Sequence, residues 1–226
     1  MTSKMVTHEN KNMKNLSISY INKKIKSQFS SDIELAISDT ILCKEYKNHH
    51  SYKKREKALN TILRKYKIDE TTRDKIINDY SSELVSPGLK GVIRGKTFNI
   101  LVKKHLEKIY SLNKDYLLVF EKTHPKYPTS QIPDWYLEHI PSNKIIIGMN
   151  QVDLWNGGAQ RVRGAYYMEQ SLNNIGTFRF VCVIANYIEI KTEKSHVYNL
   201  FNIGFQIGTL CYLNKLEQTI TSVFFQ

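Results

Sequence analysis

Residues 178–190, Phe-Arg-Phe-Val-Cys-Val-Ile-Ala-Asn-Tyr-Ile-Glu-Ile, are the longest apolar run in the chain. The run is dense in β-branched and aromatic residues, which suit a pleated, packed surface. It falls short of the ~18 apolar residues that a membrane-spanning helix needs. It therefore predicts a buried strand and puts a sheet at the centre of the fold. No other stretch is long and apolar enough to cross a bilayer, so no membrane partner is expected. The polar start, Met-Thr-Ser-Lys-Met-Val-Thr-His-Glu-Asn, lacks the apolar core of a secretory leader. Cys43, Cys182 and Cys211 are far apart, lie among apolar neighbours and form no Cys-x-x-Cys pair, which argues against zinc and against a disulfide framework. These features predict a soluble intracellular protein of a reducing compartment, whether cytoplasm, nucleus or viral factory.

Periodicity organises the rest. Residues 1–30 are polar and rich in Lys, Asn and Ser, and predict a loosely docked start. Ser31 and Glu34 form a capping box, followed at helical spacing by Ile33, Ala36, Ile37, Thr40, Ile41 and Tyr46. Farther on, Ala58, Leu59, Ile62, Leu63 and Tyr66 make an apolar stripe opposite Lys and Arg. A third helix is predicted over 70–80, with Ile76, Ile77 and Tyr80 turned inward. Residues 1–86 thus read as a basic helical region. Pro87-Gly88, Gly91 and Gly95 predict a break, and residues 87–226 read as the core. That core orders a helix over 94–110, a strand from Tyr116, and two β-rich runs around the turn Pro141-Ser142-Asn143. A helix near 159–173 follows, then the long strand, then two short helices over 196–205 and 209–220. The fold class is α/β (α+β), a central mixed β-sheet flanked by helices with an N-terminal helical region.

Polar chemistry concentrates in residues 132–164. Asp134 follows Pro133, which ends the preceding ladder and leaves the carboxylate at the start of a strand. The second strand of the hairpin starts at Lys144, continues as Ile145-Ile146-Ile147 and turns polar at Asn150, Gln151 and Asp153. Alternation sends Gln151 and Asp153 to one face and Asn150 to the other. A buried strand that turns polar needs a reason, because unpaired polar groups in a core are costly. A hydrated Mg²⁺ held through one or two oxygens supplies one.

This layout resembles the PD-(D/E)XK nuclease superfamily, which includes many type II restriction endonucleases. Pro133-Asp134 matches the first half of the motif, and Gln151 lies 151 − 134 = 17 positions on. The predicted helices before and after the hairpin fit the family's order, and the resemblance covers about residues 88–190. No Asp/Glu-x-Lys stands on the second strand; Asn150, Gln151 and Asp153 stand there instead. The resemblance implies a restriction-endonuclease-like core and a Mg²⁺ held by Asp134 and a second group. It places Asn150 or Asp153 near the metal and Gln151, or a lysine reaching in, near the attacking water. It also admits an inactive relative that keeps nucleic-acid binding.

The flank suits DNA. Gly157 and Gly158 allow close backbone approach, and Gln160, Arg161 and Arg163 are side chains that read base edges or clamp phosphate. Tyr166 and Tyr167 are placed to stack or hydrogen-bond to the nucleic-acid backbone. Lys and Arg number 33 against 21 acids, a net charge of +12, which attracts polyanions. The expected activity is therefore Mg²⁺-dependent hydrolysis of double-stranded DNA, with a two-fold homodimer if both strands of a palindrome are cut. Other features take ordinary roles. His49-His50 reads as a polar loop and His105 as a satisfied core residue. His124 and His139 are loop positions near the hairpin, open to phosphate, and His139 has the chemistry of a base. Glu107 pairs with Lys103 or Lys104 or adds an acid near the metal. Trp135 and Trp155 pack across the hairpin. Lys53, Lys54, Arg55, Lys57, Arg64 and Lys65 form a solvated face or a phosphate-tracking one.

Overall fold

The computed structural model describes residues 14–38, 46–126, 132–152 and 178–225. The chain forms two compact units, residues 31–101 in one and residues 1–30 with 102–226 in the other. These units divide the chain differently from a boundary at residue 86, because its first thirty residues belong with the sheet.

The sheet has five strands, β1 (Tyr116–Phe120), β2 (Trp135–His139), β3 (Lys144–Gln151), β4 (Phe178–Ile184) and β5 (Leu210–Tyr212), in spatial order β1-β2-β3-β4-β5. The first three strands form an antiparallel meander, and β3, β4 and β5 run parallel. The β2–β3 hairpin turns through a 3-10 segment, Ile140–Ser142, closed by Asn143 in the left-handed region. Asn tolerates that conformation better than most residues. Parallel neighbours need a crossover of a dozen or more residues. Residues 152–177 lie between β3 and β4, and the stretch between β4 and β5 holds a helix. The fold is α+β, a mixed sheet with helices.

Helix α1 (Ile18–Gln28) departs from the expectation of a loose start. Ser17 caps it by accepting the Tyr20 N–H, and Ile21 and Ile25 are fully buried. Ile18, Ile21 and Ile25 recur at helical spacing inside a Lys-rich segment, which hides the stripe. The helix is tied down at several points. Leu16 N–H donates to Asn202 at 2.8 Å, and Asn22 exchanges two hydrogen bonds with the backbone of Ile190 at 3.0 and 2.9 Å. Its isoleucines join Ile145, Ile147, Met149, Phe180, Cys182 and Ile184 in one core cluster.

In the helical unit, α2 (Ser31–Ala36) is short. Helix α3 (His50–Lys65) is capped by His49, which accepts the Ser51 N–H, so His49 is a cap. Helix α4 (Glu70–Asp79) follows its predicted span. The expected apolar stripe of α3 is largely uncovered, with Ile62 at 52% and Tyr66 at 72% exposure, and Tyr80 also faces outward. The core here is instead Tyr46, Tyr52, Val85, Leu89 and Ile93.

Helix α5 (Pro87–Tyr110) runs straight through the predicted break and belongs in part to each unit. Ser86 accepts the Leu89 N–H, and Pro87 takes the first helical position, where its missing N–H costs nothing. Helix α6 (His196–Gln206) begins at the Ser195 cap and buries Phe201 and Phe205. Residues 210–212, expected to be helical, form β5 beside β4. The helix expected there starts later, as α7 (Leu216–Phe225). The long β-rich run also ends early, at Ile184, with residues 185–192 outside the ladder.

Candidate active site

Pro133 is buried and has no N–H to give, so the β2 ladder starts at Asp134. Asp134 then joins three strands. Its N–H donates to the Gly148 carbonyl at 3.1 Å, and its carbonyl accepts the Glu121 N–H at 3.1 Å. Its carboxylate Oδ2 accepts the Asn150 N–H at 2.7 Å. Glu121, just past β1, holds φ at 51°, a left-handed conformation that is costly for a residue with a Cβ.

Asn150 is buried and its side chain faces the other way. Its Oδ1 accepts the indole N–H of Trp135 at 3.1 Å. The Trp135 ring lies over Gly148, where an added Cβ would stand 1.9 Å from ring carbon Cε2. Only glycine leaves room for the indole that reaches Asn150. A lone glycine inside a strand marks such a close approach, and this was the signal that could have found the Trp135–Asn150 bond. The expected packing partner, Trp155, lies outside the described residues.

Gln151 is buried at 4% exposure and ends β3, where its carbonyl accepts the Ala185 N–H at 3.1 Å. By alternation it shares a face with Met149. The Asp134 carboxylate acts toward that same face. Burial pushes the Cys182 thiol well up, and Cys211 and then Asp134 push it further. Beside Gln151, at the carboxyl ends of β4 and β5, lie buried Asn186 and Tyr212, with the Tyr212 hydroxyl donating to the Asn186 carbonyl at 3.2 Å. Nothing in the local pattern of the sequence picks out Asn186 or Tyr212.

The structure thus brings Asp134, Asn150 and Gln151 together. Asp153, Gln160, Arg161, Arg163 and Tyr166 lie outside the described residues. No family model, no curated protein and no solved structure matches this chain.

Three expected participants sit elsewhere. Lys144 starts β3, about 20 Å of strand from Asn150, and donates to the Phe224 carbonyl at the end of α7. It cannot be the lysine that reaches the water. His139 pairs with Lys144 at that same far end, with Nδ1 2.7 Å from Ser142 Oγ, so it is no base for this site. His124 is buried rather than open to phosphate: its Nδ1 accepts the Lys126 N–H and its Nε2 lies 3.6 Å from Glu138. Glu107 pairs with Lys103 at 3.8 Å, the ordinary alternative. His105 is half-buried rather than satisfied, and its Nε2 finds no hydrogen-bond partner among the described residues.

Among the described residues no group of three or more His, Cys, Asp or Glu is placed to hold a metal. The donors on the shared face are oxygens, the Asp134 carboxylate and the Gln151 amide, while the Asn150 amide is turned to Trp135 on the other face; oxygen donors are the chemistry Mg²⁺ prefers over softer metals. Among the described residues no helix is long and apolar enough to cross a membrane.

Proposed function

We propose that this chain is a Mg²⁺-dependent DNA endonuclease of the PD-(D/E)XK type, built on a restriction-endonuclease-like core. The observation that carries the reading is the placement of Asp134. Its carboxylate is fixed on β3 by the Asn150 N–H, one residue from Gln151, at the carboxyl end of three parallel strands. Open sheets of parallel strands bind ligands outside that edge. Helix α5 ahead of the β2–β3 hairpin and the central mixed sheet fit the order of elements the resemblance implies, and the +12 charge suits a polyanionic substrate.

In this reading Asp134 and Asp153 hold the metal, which when bound polarises the phosphate and lowers the pKa of its water. Gln151 orients the attacking water. Asn150, locked on Trp135, sets the distance between Asp134 and Gln151. Gln160, Arg161, Arg163 and Tyr166 grip double-stranded DNA, and a homodimer cuts both strands of a palindrome.

One observation favours a second reading, a catalytically inactive DNA- or RNA-binding relative. The Asp134 carboxylate already has a structural task at Asn150, and β3 carries no Asp/Glu-x-Lys. The two readings separate on plasmid and genomic DNA incubated with Mg²⁺ or EDTA, beside Asp134→Asn and Asp153→Asn variants. Discrete fragments that need Mg²⁺ and vanish in both variants support the nuclease. Salt-sensitive DNA binding without cleavage leaves the inactive relative.

A further inference from the structure

We propose that the outer face of helix α3 is a second DNA-binding surface that tracks the phosphate backbone of duplex DNA. The inference rests on the nucleic-acid half of the proposed function and not on Asp134 or on catalysis.

Helix α3 carries six basic residues, Lys53, Lys54, Arg55, Lys57, Arg64 and Lys65, against one acid, Glu56. All six are exposed, and among the described residues none has an ion pair or a side-chain hydrogen bond. Their spacing makes a continuous row. Lys54, Lys57, Thr61 and Lys65 recur every three or four residues, and Lys53 and Arg64 lie beside Lys57 at one and two turns. Like charges at those spacings repel and weaken a helix. Glu56 is the one acid on the helix itself, and Asp74 of α4 lines a groove with Lys53 and Lys57; a bound polyanion would offset the charge that these two leave.

The opposite side of the helix is anchored at its start and left partly open farther on, where Ile62 is exposed. Tyr52, its one fully buried residue, packs with Tyr46, Val85, Leu89 and Ile93. The basic row and the half-covered apolar side lie on different faces of the helix, so a duplex met by the row is distinguished from a lipid surface by the vesicle arm of the test below. From Lys54 to Lys65 the row spans about 16 Å at 1.5 Å per residue. Duplex DNA presents a charge about every 1.7 Å of its axis, so the row faces on the order of ten phosphates.

The test is equilibrium binding of a fluorescent mixed-sequence duplex in EDTA, where cleavage is silent, across a salt series. The full chain is compared with a Lys53→Gln/Lys54→Gln/Lys57→Gln/Lys65→Gln variant. The four positions are exposed, so the variant keeps its fold, which circular dichroism and a urea melt verify. The slope of log K against log salt should flatten by about 3 to 4, at about 0.9 for each phosphate no longer neutralised, and equally on every duplex sequence. An unchanged slope overturns the proposal, as does a chain that binds no duplex. Vesicles containing phosphatidylserine serve as the second arm, and lysine-dependent vesicle binding with duplex binding intact also overturns it. Cleavage by the variant at saturating enzyme concentration reports on Asp134 separately.

Discussion

The Asp134 carboxylate accepts the backbone N–H of Asn150 at 2.7 Å, standing in for a carbonyl where the β2–β3 ladder runs out. A charged acceptor makes this bond stronger than a neutral one. Removing it leaves a part-buried N–H without a partner, which costs about 1–3 kcal/mol. Asp134→Ala should therefore lose about that much stability in urea melts, while Asp134→Asn, which keeps an oxygen there, loses less. Under the proposed nuclease function, cleavage should vanish in both. Equal stability of the two variants contradicts the structural half of this expectation.

Gly148 and Trp135 form a second pair on the hairpin. Because a Cβ at 148 would overlap the indole at 1.9 Å, Gly148→Ala must displace Trp135 and with it the bond to Asn150. Overpacking of this kind typically costs about 1–3 kcal/mol, and breaking the bond adds to it. Combining Gly148→Ala with Trp135→Ala should cost less than the sum of the two single changes, a coupling that a double-mutant cycle in urea reads directly. Additive costs would show that the ring does not lie on the glycine.

Helix α1 tests whether the chain's first thirty residues belong to the sheet unit. Ile25 is fully buried in the cluster shared by β3, β4 and α6. Ile25→Ala should cost about 2–5 kcal/mol through reduced burial and the cavity left behind. Lys26→Ala, on the exposed side, should be close to neutral. Matching small effects at both positions contradict the docking of α1.

His105 gives a pH dependence. Burial holds its imidazole below the ordinary 6.5, Lys108 lowers it further and Glu217 opposes. The folded protein thus prefers the neutral ring, and the unfolded chain binds more protons. This contribution is fully present above the unfolded pKa near 6.5 and is lost as pH falls through it toward the lower folded value. Wild-type stability, measured against His105→Gln by chemical denaturation, should decline relative to the variant between neutral pH and pH of about 5. A relative gain on acidification reverses the sign and discards the buried-neutral ring.

Short-range information along the chain sufficed for several elements. The Val/Ile run at β4, the hairpin around Pro141-Ser142-Asn143, the span of α4 and the stripe of α6 are encoded within a few residues of themselves. Pro133-Asp134 marked a strand start for the same reason, since proline acts on its own backbone. Other elements depended on distant partners. Leu210–Tyr212 reads as helix by periodicity and becomes β5 because the edge of β4 offers it a ladder. Pro87-Gly88 reads as a break and becomes the first turn of a long helix that Ser86 caps. The isoleucines of α1 mean little among lysines until the sheet provides a surface to cover. The site follows the same division: local pattern gave Asp134 and Gln151 as candidates. Only strand register put the Asp134 carboxylate on the Asn150 N–H and the Trp135 indole on the Asn150 amide, and only the packing of α7 gave Lys144 its partner at the Phe224 carbonyl. Periodicity acts through neighbours along the chain, whereas register is set by how distant strands pair and bury their faces.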